Sequence, residues 1–123
     1  FSPEGAHIDW YAADASLSCF FGAPAGERTA GDVPRHVLIF AHAGSAPRTF
    51  HFPRAEAVRE LPWRLFVDTS RRPPDDLLAA GTGPLVDVEQ PVELADRGLV
   101  CFVADASPPV RRRIAGPKGG PIT

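Results

Sequence analysis

The sequence predicts an all-β domain, an antiparallel β-sandwich of about seven or eight short strands with Greek-key-like connections. Three observations lead there. Fourteen prolines and eleven glycines in 123 residues fall between the apolar runs rather than inside them, which favours short strands joined by loops over long helices. The apolar runs recur at spacings of roughly ten residues, the signature of a sandwich or barrel. Finally, the stretch Pro62-Trp63-Arg64-Leu65-Phe66-Val67-Asp68-Thr69 alternates Trp63, Leu65 and Val67 with Arg64 and Asp68, as a half-buried strand does. Pro62 suits a strand's first position, where its missing N–H costs least. Phe66 falls on the wetter face and is expected under a loop or a second domain.

Residues 1–13 open with a turn signal at Pro3-Glu4-Gly5 and then present Ile8, Trp10 and Tyr11. They read as an irregular arm that tucks Trp10 against the domain. Leu17, Cys19 and Phe21 lie in the first strand run, which Gly22 ends. A polar Gly/Pro-bearing loop leads to His36–Ala43 (HVLIFAHA), a continuous apolar run of the kind a central strand covered on both faces carries. After the turn at Gly44-Ser45-Ala46-Pro47, Phe50 and Phe52 alternate with Thr49 and His51, an expected hairpin partner of the strand before. Residues 54–61 are open to a helical turn or a loop. Asp75 to Gly81 can form a short helical turn with acids at its start and glycine at its end. Three short strands close the chain: Leu85–Val88, Val92–Ala95 and Leu99–Ala104.

At 123 residues with 44% hydrophobic and 23% charged residues, the chain is of a size to bury one core without metal or disulfide support. The domain is expected over residues 14–105, with 1–13 as a linker and 106–123 as a flexible basic tail. The formal charge of −2 hides an asymmetry: Arg111, Arg112, Arg113 and Lys118 give the last 18 residues +4 and leave −6 on residues 1–105. An acidic body argues against a nucleic-acid groove. No apolar run approaches the ~18 residues of a transmembrane helix, so no membrane partner is expected, and a cytoplasmic location follows from the lack of any export signal. The chain starts at Phe1 and contains no methionine, and is read as a segment of a longer protein. Cys19 and Cys101, each in an apolar run, read as buried free thiols. They can approach each other only if the first and last strands are neighbours.

Catalytic constellations fail on inspection. His7, His36, His42 and His51 have no metal-like spacing with one another or with the cysteines. His42 ends the most apolar strand and reads as a hydrogen-bonded core or edge histidine. Gly81-Thr82-Gly83 lacks the strand and helix of a phosphate loop. Asp75-Asp76 and Asp87-Val88-Glu89 supply carboxylates of the type glycoside hydrolysis uses, but in Pro-rich loops with nothing to bury them. Neither Ser45 nor Ser70 sits in a nucleophile elbow. The fragment is therefore expected to be no enzyme and to hold no metal or cofactor. Aromatic rings remain, since exposed aromatics stack on the apolar faces of sugars. Trp10 and Tyr11 are the carbohydrate-binding candidates, and Trp10 and Phe66 the candidates for a domain interface.

Several segments taken together resemble a known family. Asp9-Trp10 precedes the first strand, then come HVLIFAHA, Phe50-His51-Phe52-Pro53, Trp63 with Asp68-Thr69, and the closing VELADRGLVCFVA. In this order and spacing the chain is similar to the C-terminal β-domain of the isoamylase-like glycogen and starch debranching enzymes of glycoside hydrolase family 13. It departs from them in His42, where the family carries asparagine, in Phe52 for leucine, and in Arg97-Gly98 for Arg-Ser. The similarity covers about residues 1–105.

The resemblance implies a sandwich like the C-terminal domain of α-amylase-family enzymes. It also implies that the catalytic carboxylates sit on a preceding α/β barrel of the same chain. The parent would hydrolyse α-1,6-glucosidic branches, and this part would stabilise the barrel, with glycogen or another α-glucan as a further contact. Two other readings stand beside it: a stand-alone α-glucan-binding module, and an immunoglobulin-like interaction domain.

Overall fold

The computed structural model describes residues 1–10, 14–23 and 34–106; the basic tail lies outside the described residues, apart from Ala106. The fold is all-β. Six strands and one helical turn follow one another as β1 (Ser16–Phe21), β2 (Arg35–His42), β3 (Arg48–Phe50), α1 (Glu56–Arg59), β4 (Arg64–Asp68), β5 (Val92–Leu94) and β6 (Leu99–Asp105). They form a four-stranded sheet of order β1-β2-β6-β4 and a two-stranded sheet of β3 and β5. Every pairing is antiparallel.

The long apolar strands take the centre. β2 and β6 pair from Arg35↔Asp105 to Ala41↔Leu99, and each has neighbours on both sides. Alternation then sends Leu38 and Phe40 of β2, and Val100, Phe102 and Ala104 of β6, to one face. There they meet Phe50, Phe52 and Leu94 of the smaller sheet and its flank, with Val58, Trp63 and Leu65 completing the core. Phe40 stacks on Phe50 with ring centroids 5.0 Å apart and meets Phe52 and Phe102 edge-on at 5.3 and 5.4 Å.

Two expectations are corrected. The run at Arg48–Phe50 makes no hairpin with β2; it crosses to the other sheet and pairs with β5, because only from there do Phe50 and Phe52 cover Phe40. The strand built on Trp63 lies at the edge of the four-stranded sheet. Trp63 itself is fully buried, its indole N–H donating to the Val58 carbonyl at 2.7 Å. A bulge between Leu65 and Val67 then breaks the alternation: Leu65 opposes inward-facing Phe102, whereas Val67 opposes Cys101 on the other face. An extra residue in one strand does this wherever it occurs.

Beyond β4 the chain returns along its free edge instead of forming the expected helical turn and strand. Leu77 and Leu85 make isolated bridges to Val67 and Arg64, and the Pro84 and Phe66 carbonyls accept from Leu65 and Leu78. A ladder cannot run through Gly83-Pro84, where proline offers no N–H. At the opposite edge, Phe1 and Ser18 exchange two backbone hydrogen bonds. Both edges are thus covered in part, which limits strand addition from other chains.

The arm is sewn to the sandwich. His51 and Arg54 donate to the carbonyls of Pro3 and Gly5. Gly5 holds φ +85°, and a side chain there would meet the Phe52 carbonyl oxygen at 2.5 Å, so only glycine fits.

Trp63→Ala removes the largest buried side chain and the indole N–H that the Val58 carbonyl accepts alongside that of Leu61. It is expected to cost about 3–5 kcal/mol, read as a lower midpoint in urea unfolding.

Candidate functional site

The four-stranded sheet has a second face, and it is also apolar. Register places Leu17, Ala41 and Leu99 in one row, Cys19, Ile39, Cys101 and Val67 in the next, and Phe21, Val37, Val103 and Arg64 in the third. Among the described residues no second sheet lies on this side. Cys101 and Val103 are buried in the middle of the face, whereas Leu17, Ala41 and Leu99 are half-buried and Phe21 is 56% exposed.

Two adjoining hollows mark the end of this face where β1 begins. One, of about 500 Å³, lies over Leu17, Ala41 and Leu99 with Arg97 at its margin. The other, of about 720 Å³, opens between the arm and the start of β1, and the two share Ala15 and Leu17. Its apolar lining comes from Pro3, Ile8, Ala15 and Leu17, and Trp10 contributes to its wall. Glu4, Asp9 and Asp14 add carboxylates. Arg48 holds two of these in place, one Nη2 reaching Glu4 at 3.0 Å and Asp14 at 2.9 Å. The other oxygen of Asp14 accepts the Ser16 N–H at 3.1 Å, fixing the entry into β1.

Trp10 is 76% exposed, so the expectation that it tucks against this domain is overturned. The arm is anchored by Pro3 and Gly5 instead, whose carbonyls accept from His51 and Arg54. Tyr11, the other carbohydrate candidate, lies outside the described residues. Phe66 is half-buried in the bulge of β4, where its carbonyl accepts from Leu78. The structure does not bring Phe66 to Trp10: one belongs to the β4 edge, the other to the β1 edge. Arg48, Glu4 and Asp14 had no sequence signal, since their union spans 44 and 34 residues.

His42 is a satisfied buried histidine. Its Nε2–H donates to the Ala46 carbonyl, which leaves Nδ1 to accept from the Ser16 hydroxyl at 2.7 Å. The imidazole thus closes the turn after β2 and ties it to β1, work that an asparagine amide, with one donor and one acceptor end, is equipped to do. Thr69 is paired reciprocally with Leu99 across the sheet end: its hydroxyl donates to the Leu99 carbonyl and accepts the Leu99 N–H. Asp68 accepts from both the backbone and the hydroxyl of Ser70. Cys19 and Cys101 are free. Because β2 runs between their strands, Ile39 separates them in the row, roughly 10 Å at two strand spacings and too far for a disulfide. Burial pushes the Cys101 thiol above its ordinary value of 9.0.

Among the described residues no group of His, Cys, Asp and Glu is arranged to hold a metal ion, and no helix is long and apolar enough to cross a membrane. No protein-family model matches the chain, and no curated protein does.

Two outcomes are expected. His42→Ala leaves the Ser16 hydroxyl and the Ala46 carbonyl without their partner and costs about 1–3 kcal/mol in urea unfolding, whereas His42→Asn costs less. Iodoacetamide at pH 8 alkylates Cys19 well before Cys101, as peptide mass mapping reads. Since the raised Cys101 value favours the neutral thiol in the fold, its contribution to stability holds below pH 9.0 and is lost as pH rises through the folded value.

Proposed function

We propose that this chain is the non-catalytic β-sandwich of an isoamylase-like debranching glycoside hydrolase. In this reading it braces the catalytic α/β barrel of the same polypeptide, which cleaves α-1,6-glucosidic branches of glycogen or a related α-glucan in the cytoplasm. The support is the order of the family-like motifs together with the work each does. Asp9-Trp10 stands just before β1, HVLIFAHA spans β2, FHFP leaves β3, and Trp63 and Asp68-Thr69 bracket β4. Trp63 packs, His42 closes a turn and Thr69 joins strands. These roles are structural, as an accessory domain needs.

The observation that carries the bracing role is the apolar outer face of the sheet, above all the row Leu17–Ala41–Leu99 under its shallow hollow. A contiguous apolar patch of this kind marks an interaction surface, and a barrel wall of the same polypeptide is the body that the reading supplies. Phe21, 56% exposed at the far end of the face, extends the same ground.

The test uses the longer gene product. It is expected to release reducing ends from β-limit dextrin, and removing this domain, or introducing Leu17→Asp with Leu99→Asp, is expected to lower its melting temperature and activity together. A longer product with no α-1,6 hydrolysis, or one indifferent to loss of the domain, overturns the reading.

A further inference from the structure

We infer that the larger hollow beside Trp10 is a sugar-binding subsite that takes a hexopyranose ring of an α-glucan chain. The geometry supplies both halves of carbohydrate recognition. A pyranose ring has an apolar face of C–H groups and a rim of hydroxyls. It therefore fits where a bare aromatic face stands beside fixed hydrogen-bonding groups. Trp10 offers the face: it is 76% exposed and lines the hollow. The volume, about 720 Å³, lies inside the range of roughly 300–1,000 Å³ typical of small-molecule sites.

The polar half is held in advance. One Arg48 nitrogen bridges Glu4 and Asp14, so both carboxylates keep their positions without a ligand while retaining lone pairs for hydroxyl donors. Preorganisation of this kind lowers the entropy cost of binding. The carboxylates also discriminate: they repel phosphates and other anions, and they are poor company for a purely apolar occupant. A neutral polyol with one apolar face satisfies both halves.

That the ring belongs to an α-glucan rests on the function proposed above; that the hollow takes a sugar ring does not. The chain's two tryptophans give a direct readout, because Trp63 is fully buried and Trp10 is in water. Maltoheptaose titrated into the chain is expected to shift and saturate Trp10 emission, and glycogen to retard the chain in affinity electrophoresis. Trp10→Ala is expected to weaken binding at least about tenfold with a nearly unchanged urea midpoint, since the residue is 76% exposed, and Trp10→Phe to retain part of it.

No saturable response, or one that survives in Trp10→Ala, overturns the inference and leaves the hollow to protein packing. Binding of cellohexaose without maltoheptaose overturns the α-glucan assignment. Neither result bears on whether the longer product cleaves α-1,6 branches, so the two readings fail separately.

Discussion

The stack of Phe40 on Phe50 is the contact on which the sandwich depends. A two-stranded ribbon is marginal alone in water, and β3 and β5 share only three residue pairs. They persist because Phe50, Phe52 and Leu94 lie on the inner face of the larger sheet, interleaved with Phe40 and Phe102. Removing that contact would take away both the cover of the large sheet and the reason for the small one. Trp63 and Val58 close one flank of the same cluster, and the α1 turn exists at the point where its carbonyl must meet the indole.

With the small sheet committed to the inner face, the outer face is left to something else. β2 and β6 carry the unbroken apolar runs Val37–Ala41 and Leu99–Ala104, the composition of strands covered on both sides. Within the described residues the second sheet covers only one of them. The half-buried row at Leu17, Ala41 and Leu99 and the exposed Phe21 are the consequence. The proposed seat on a catalytic barrel would give this surface an occupant, and the Trp10 hollow adjoins it at the β1 end through Ala15 and Leu17.

The arm acquires its form from residues distant in sequence. Pro3 and Gly5 dock on the exit of β3, Phe1 on β1, and Arg48 reaches back to Glu4 and Asp14. These contacts bury Pro3 and Gly5, while Trp10 stays 76% exposed. An aromatic residue thus lies in water at the edge of a hollow, at the cost of whatever its burial would have contributed.

The sequence by itself determined the all-β class, the strands around Leu38–Phe40 and Leu99–Ala104, the burial of Trp63 and the structural role of His42. Each of these follows from local alternation, proline and glycine placement, or the poverty of partners that a buried imidazole can have. The tertiary structure decided the rest. Which strand neighbours which is a matter of long-range packing, so the expected hairpin of Arg48–Phe50 with β2 gave way to a crossing that buries Phe50 and Phe52. One bulged residue turned Val67 to the face opposite Leu65, and period-2 reading has no means of seeing an inserted residue. The exposure of Trp10 was illegible as well: nothing local distinguishes a tryptophan that packs from one left 76% exposed.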